Sequence, residues 1–370
     1  MPLRYARQII LPEIGQEGQE KLRQSSVLCI GAGGLGSPAL LYLAAAGIGR
    51  IGIIDNDVVD ITNLQRQVLF QETDHGKQKA EVASKALKAI NSEIKIESFN
   101  ERFSVANAEK MLIVYDVIID GTDNFASKFL INDACVKFNK PLIYGSILWF
   151  DTQVSVFWAQ HGPCYRCLYP APPSSYIPNC AEAGIIGAMA GIAGTVQALE
   201  AIKMSLGIKW CKTKKLEPLL GKLWMLDART MKTQLLTLQK NPSCPVCSKD
   251  SDDIILTDGN YSCSARSKIA DLSATEALEI LNEAIFIDVR ESRELASGMI
   301  PGAKHIPLGK LPNDQSVLDE LPKDTRLVVY CQHGVRSLTG AKHLQGCGYT
   351  NIAHLAGGIV QWQGKLEFPG

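Results

Sequence analysis

The sequence has no excess charge of either sign: 38 Lys and Arg stand against 38 Asp and Glu. That balance excludes a general affinity for nucleic acid or for an anionic membrane surface, so neither is expected as a partner. No hydrophobic run is long enough for a membrane span. The nearest, residues 183–199, is rich in Gly and Ala and is flanked by Glu182 and Glu200. It falls short of the about 20 residues a span requires and reads as a buried helix. The opening Met1-Pro2-Leu3-Arg4-Tyr5 lacks the apolar core of a secretory signal. These absences predict a cytoplasmic protein, in which thiols stay reduced. Its 11 cysteines then point to metal or sulfur chemistry rather than to disulfides.

What the sequence does have begins at Val27-Leu28-Cys29-Ile30, an apolar strand pattern that runs into Gly31-Ala32-Gly33-Gly34-Leu35-Gly36 and then into the helical pattern from Ser37 to Ala44. Strand, tight glycine turn and helix N-terminus open a nucleotide-binding βαβ unit, with free N–H groups and a positive dipole end for a phosphate. A second apolar run, Ile51 to Ile54, ends at Asp55, the distance at which an acidic residue reaches ribose hydroxyls. Taken alone, Gly31, Gly33, Gly36 and Asp55 suit NAD or FAD.

Polar residues then follow each strand end, where an open α/β sheet presents its ligand face. Asp57 is succeeded by Thr62-Asn63-Leu64-Gln65-Arg66-Gln67, and His75 to Lys79 opens a helix running to about Ala89. Lys79 falls in the first turn, where the dipole disfavours a cation; it serves a ligand phosphate or is a plain surface lysine. Arg7, in a short helix over residues 3–10, is a solvated arginine or reaches a neighbouring site. The strand at residues 117–119 ends in Asp120-Gly121-Thr122-Asp123-Asn124, which offers a carboxylate for Mg²⁺ or simply helix caps. Further strands at 141–145 and 153–158 extend an open α/β sheet that is largely parallel at first.

Two C-x₂-C pairs, Cys164/Cys167 and Cys244/Cys247, are knuckles of a closed tetrahedral zinc site joining distant segments. Cys180, after the Pro-rich loop 170–175, is either a nucleophile or inert packing. Residues 249–268 lose apolar periodicity and read as an interdomain linker. Beyond them a fresh α/β pattern begins: helix 274–281, strand 284–287 ending at Asp288-Val289-Arg290, and strand 326–330. The last of these ends at Cys331-Gln332-His333-Gly334-Val335-Arg336-Ser337, followed by a helix over 338–345. A cysteine in a short loop opening onto a helix N-terminus is ringed by backbone N–H groups that stabilise a thiolate, and Arg336 adds charge. The C-x₄-R spacing is one residue tighter than the loop of cysteine phosphatases, which suits a sulfane sulfur on Cys331 better than a phosphate.

Residues 1–248 resemble the MoeB/ThiF family, bacterial relatives of ubiquitin-activating enzymes. The resemblance rests on Arg4-Tyr5-x-Arg7-Gln8, Gly31 to Gly36, Asn63-Leu64-Gln65-Arg66-Gln67, Gly121-Thr122-Asp123-Asn124 and both cysteine pairs. Residues 266–370 resemble a rhodanese domain through Asp288-Val289-Arg290, Ile300-Pro301-Gly302-Ala303, the Cys331 loop and Gly357-Gly358, with 249–265 as the linker. Met299 departs from the pattern, since rhodaneses commonly carry His there. The resemblance implies a Rossmann-like, doubly wound adenylation domain with structural Zn²⁺, followed by a smaller α/β sulfurtransferase domain.

It also implies ATP-dependent adenylation of a ubiquitin-like sulfur carrier protein ending in Gly-Gly. In this reading Arg66, Lys79 and, from a second subunit of a homodimer, Arg7 clamp the phosphates. Asp55 holds the ribose, Asn63 and Gln67 line the phosphates beside Gly33, Gly34, Asp57 and Asn124, and Asp123 binds Mg²⁺. Cys331 carries sulfur from a cysteine desulfurase or thiosulfate as a persulfide, assisted by Arg336. The cysteine matching Cys180 forms a thioester or acyl-disulfide with the carrier in some members of the family and is dispensable in others. Carriers for molybdopterin, thiamin, tRNA thiolation and secondary metabolites all end in Gly-Gly, so the sequence leaves the carrier open. The alternative, an NAD(P)-linked oxidoreductase fused to a sulfurtransferase, accounts for Gly31 to Asp55 but gives Arg66, Lys79 and Asp123 no role.

Overall fold

The computed structural model describes residues 3–172, 184–258, 269–311, 321–322 and 325–368. They divide into two units, the first reaching residue 258 and the second beginning at residue 269.

The first unit is built on an eight-stranded sheet in the order β3-β2-β1-β4-β5-β6-β7-β8. β1 (Ser26–Ile30) is buried along its whole length and pairs in parallel with β2 (Arg50–Ile54) and β4 (Val117–Asp120). β3 (Lys95–Phe99) and β5 (Leu142–Leu148) extend the parallel part on either side. β6 (Asp151–Phe157), β7 (Lys222–Asp227) and β8 (Lys232–Thr237) continue it antiparallel. Strands buried on both faces read as unbroken apolar runs, which is why β1, β2 and β4 are so plain in the sequence. The chain leaves β1 toward β3 on one side and returns to β4 on the other. Such a reversal opens a crevice outside the carboxyl ends of the two central strands.

The helices α1 (Ala6–Ile9), α2 (Gly15–Gln24), α3 (Gly36–Ala46), α4 (Lys79–Ile90), α5 (Val105–Ile113), α6 (Phe125–Lys137), α7 (Tyr165–Leu168), α8 (Gly187–Leu206) and α9 (Ile208–Thr213) cover this sheet. The Gly/Ala-rich α8 lies against α3 and β5 and buries Met189, Ala190, Ala193, Ala198 and Ala201. Small residues let it approach the glycine turn closely. No helix among the described residues is long and apolar enough to cross a membrane.

The stretch after Cys247 departs from a free linker over its first part. Ile254 is buried beside the cysteine cluster, its carbonyl accepts from Lys137 Nζ at 2.7 Å, and Asp258 accepts the Val105 N–H at 2.8 Å. A local composition shift carries no information about such long-range contacts.

The second unit has a five-stranded sheet in the order β11-β10-β12-β13-β9, parallel throughout. The strands are β9 (Ala270–Leu272), β10 (Ile285–Asp288), β11 (Lys304–His305), β12 (Leu327–Tyr330) and β13 (Ile352–Leu355). α10 (Ala274–Glu279) starts with a Ser273/Glu276 capping box. α11 (Val335–Gly346) begins earlier than the periodicity suggests, so Arg336 and Ser337 lie on the helix itself.

Candidate functional site

At the carboxyl end of β1 the chain turns at Gly31, whose φ is +92°. A side chain there would also strike the Gly121 carbonyl oxygen at 2.9 Å, so this glycine serves the packing of two strand ends. Gly36 plays the same part, since a Cβ would run into the Gly31 carbonyl. Gly33 and Gly34 differ: a Cβ on Gly33 would lie 3.6 Å from Gln67 Nε2, while one on Gly34 would press on Ala190 Cβ at 3.3 Å and lie 3.5 Å from the Arg66 stem.

Asp55 closes the turn from β2. Its Oδ2 accepts the Ala32 N–H at 2.8 Å and its Oδ1 the Asp57 N–H at 2.9 Å. Burial pushes this carboxyl above its ordinary range, opposed by those two N–H groups. Each oxygen retains a second lone pair for a ligand hydroxyl.

Lys79 is the first residue of α4 and is only 4% exposed. Its ammonium lies 3.0 Å from Asp57 Oδ2, and the Asp57 side chain is 63% exposed. The plain surface lysine is thereby excluded: a cation at a helix N-terminus is unfavourable, and here a carboxylate compensates it. Asn63 Oδ1 accepts from both Arg66 Nη2 and Gln67 Nε2, each at 3.1 Å, and Arg66 Nη1 donates to the Thr62 carbonyl at 3.2 Å. Gln67 is buried, and its Oε1 finds no hydrogen-bond partner among the described residues. A buried orphan acceptor awaits a donor.

At the end of β4, Asp120 is fully buried and saturated. It accepts from Thr122 N at 2.9 Å, Thr122 Oγ1 at 2.6 Å and Lys128 Nζ at 2.8 Å. Lys128 also donates to the Gly145 carbonyl at 2.8 Å. This ion pair was missed in the sequence, although a lysine inside the apolar pattern of α6 signals a buried partner. Asp123 is left as the exposed carboxylate of the loop. Asn124 caps α6, accepting the Ser127 N–H at 2.9 Å, so its side-chain oxygen has a structural task. Arg7 is exposed on α1. Neither Arg7 nor Asp123 hydrogen-bonds to the other candidate side chains among the described residues.

The four cysteine sulfurs of the C-x₂-C pairs lie within 4.8 Å of one another. Cys164 Sγ is 3.9 Å from Cys167 and 3.5 Å from Cys244, and Cys167 is 3.5 Å from Cys247. Tetrahedral zinc with bonds of about 2.3 Å sets its sulfurs roughly 3.8 Å apart, so the cluster fits that ion. Hydrogen bonds from the neighbouring thiols, Cys164 foremost, pull the Cys247 thiol down to about 5, while Cys164 itself is pushed up. The frame is rigid: Asn132 accepts the Tyr165 N–H, and Arg166 grips Asp133 with two bonds. Cys180 lies outside the described residues.

In the second unit Cys331 follows β12 directly and is buried. The Gly334 N–H donates to its sulfur at 3.2 Å. Gly334 has φ +91° and abuts the Ala356 carbonyl, so only glycine makes this turn without strain. Arg336 makes two bonds to Glu294, at 2.7 and 2.6 Å, and this holds the Glu294 carboxyl down to about 2. Arg290, fully buried, is bound to both oxygens of Asp288 and to the Gly298 carbonyl at 2.7 Å. It also reaches Gln332 Oε1 at 3.3 Å, which ties the loop to β10. A buried sulfur nucleophile cradled by a backbone N–H is suited to sulfur exchange.

Comparison with known proteins agrees with this geometry. The ThiF family matches residues 5–246, and the Rhodanese-like domain matches residues 273–365. The chain is 40% identical over 373 residues to "Probable adenylyltransferase/sulfurtransferase MoeZ" of Mycobacterium tuberculosis, covering 98% of this chain and 93% of that one. It is 44% identical over 269 residues to the "Sulfur carrier protein adenylyltransferase" of Thermus thermophilus, covering 71% of this chain and 97% of that one. Among solved structures, Escherichia coli MccB with ATP superposes with a TM-score of 0.56 at 26% identity, over 66% of this chain and 75% of that chain. The chain belongs to the ThiF family of adenylating enzymes and carries, after its ThiF domain, a rhodanese-like domain.

Proposed function

We propose that this protein adenylates the C-terminal glycine of a ubiquitin-like sulfur carrier and then converts it to a thiocarboxylate with sulfur delivered from Cys331. One observation carries the reading: a single chain joins a ThiF unit, with a buried Lys79 paired to Asp57, to a rhodanese loop built around one buried cysteine. We assign adenylation to residues 1–248 and sulfur transfer to residues 266–370, with residues 249–265 connecting them in sequence.

In the first reaction the carrier carboxylate attacks the α-phosphate of ATP and pyrophosphate departs. Arg66 and Lys79 face the phosphates across Gly33 and Gly34, and Arg7 joins them from a second subunit of a homodimer. Preorganised cations of this kind supply the main stabilisation of a phosphoryl-type transition state. Asp55 accepts the ribose hydroxyls on its spare lone pairs. Asn63 fixes Arg66 and Gln67, and the orphan Gln67 Oε1 takes a hydroxyl or water hydrogen rather than a phosphate oxygen. The exposed carboxylate of Asp123 is a hard oxygen ligand that would hold Mg²⁺, which would supply neutralisation of phosphate charge. Zn²⁺ on Cys164, Cys167, Cys244 and Cys247 is a closed structural clip. Cys331 receives sulfur from a cysteine desulfurase or thiosulfate, and Cys180 stands as the residue for capture of the activated carrier.

Pyrophosphate exchange into ATP, dependent on a Gly-Gly-ending carrier, tests this directly. Exchange supports the proposal, whereas NADH oxidation without exchange would return the oxidoreductase reading.

A further inference from the structure

A line of four side chains runs from the buried sulfur of the second unit to its surface. Cys331 Sγ lies 3.6 Å from Ser337 Oγ, Ser337 Oγ lies 3.2 Å from His354 Nδ1, and His354 Nε2 lies 2.9 Å from Asp271 Oδ1. Cys331, Ser337 and His354 are all buried, while the Asp271 side chain is 62% exposed. Parallel pairing of β13 with β9 sets His354 opposite Asp271, so the backbone register fixes the contact. An ionised carboxylate only accepts, so Nε2 carries the hydrogen and Nδ1 of the neutral ring turns a lone pair toward Ser337. The Ser337 hydroxyl has one hydrogen and a second acceptor, the Gly334 carbonyl at 2.8 Å. Turning from that carbonyl to His354 Nδ1 opens the Ser337 oxygen to the thiol.

We propose that His354, held in one tautomer by Asp271, removes the Cys331 proton through Ser337; this rests on the reading of Cys331 as sulfur acceptor. The thiol proton passes to Ser337 Oγ as the Ser337 hydrogen passes to Nδ1. The S–H electron pair stays on sulfur, and the imidazolium faces the Asp271 carboxylate. The thiolate, held by the Gly334 N–H, attacks the outer sulfur of thiosulfate. A new S–S bond forms on Cys331, the donor's S–S bond breaks, and its electron pair leaves with sulfite. The proton on His354 departs to water at the Asp271 end. Around the line, apolar Val329 is the β12 neighbour of His354, Arg336 on α11 is bound to Glu294, and His333 of the Cys331 loop is exposed. His354 and Asp271 are positioning residues that act through Ser337.

The test is kcat/KM for thiosulfate, which reports sulfur uptake alone, measured on the full chain from about pH 5.5 to about pH 10, a range that spans ordinary His and Cys titration. An ordinary thiol is a few per cent ionised at neutral pH. His354→Gln, which keeps a hydrogen bond to Asp271 but takes no proton, should lose several-fold or more near pH 7 and recover toward the alkaline end of the range, where solvent base replaces the relay. Ser337→Ala should behave alike. Asp271→Asn, at an exposed position that leaves the buried line in place, should show a smaller loss with the same alkaline recovery, and carries the test if His354→Gln fails to fold. Wild-type profiles in these variants, or a loss equal at every pH, overturn the relay while Cys331→Ala remains inactive. Wild-type uptake by Cys331→Ala overturns instead the reading of Cys331 as acceptor.

Discussion

Lys79 buries its ammonium against the carboxylate of Asp57, 3.0 Å away, while that carboxylate keeps most of its own surface in water. The pair is asymmetric. Removing the lysine leaves an aspartate that solvent satisfies, so Lys79→Ala should fold. It should nonetheless lose carrier-dependent pyrophosphate exchange by a hundredfold or more, the about 3 kcal/mol typical of one lost transition-state charge contact. Arg66→Ala, which also leaves Asn63 with Gln67 as partner, should lose a similar factor. Near wild-type exchange in both variants would remove the phosphate clamp from the account.

Metal analysis should return about one zinc per chain, as one four-cysteine site requires. Cys247→Ser should lower metal content and thermal stability together, because a closed zinc site is coupled to folding. The cluster ties α7 to the segment around Cys244 and, through Ile254, to the chain beyond it, so chelation should loosen residues 244–258 first. Hydrogen exchange over that stretch, unchanged by chelation, would contradict the assignment.

The legible part of this molecule was the part written in contiguous runs. The glycine turn, Asp55 and the Cys331 loop each follow a buried strand directly, so pattern and site coincide in the chain. The cysteine pairs were legible because C-x₂-C is a local geometry. What escaped depends on distant pairing. Asp120 meets Lys128 inside an apolar helix, and His354 meets Asp271 only through the register of β13 and β9. The spacing of Arg336 from Cys331 is local, but its pairing with Glu294 is not. Asn124 illustrates competition for one side chain: the helix cap takes its oxygen.

If Arg7 acts in a partner's site, neither Arg7→Ala nor Lys79→Ala homodimers should exchange pyrophosphate, while mixed dimers should regain one intact site in two-fold symmetric pairs. Subunit exchange verified by mass, with no recovered activity, would place Arg7 in its own chain or outside the reaction.

The Arg336–Glu294 pair has a defined acid window. Because the folded carboxyl sits near 2, below the ordinary glutamate value of 4.5, the pair's contribution is complete above about pH 4.5 and is lost as pH falls toward 2. Glu294→Gln should therefore be less sensitive to acid than wild type in that window, and should track it in slope at higher pH. Parallel denaturation curves of the two proteins across the whole acid range would show that Arg336 does not depend on this carboxylate.

The central claim is that activation and sulfur delivery are separate tasks of one chain. Intact-mass analysis of a carrier incubated with ATP and a protein-bound persulfide donor, free sulfide excluded, tests it most directly. Cys331→Ala should leave pyrophosphate exchange at the wild-type rate and yield no thiocarboxylate. Cys180→Ala should also spare exchange, and should slow the product only where a covalent carrier intermediate is obligatory. Normal thiocarboxylate from Cys331→Ala would contradict the account.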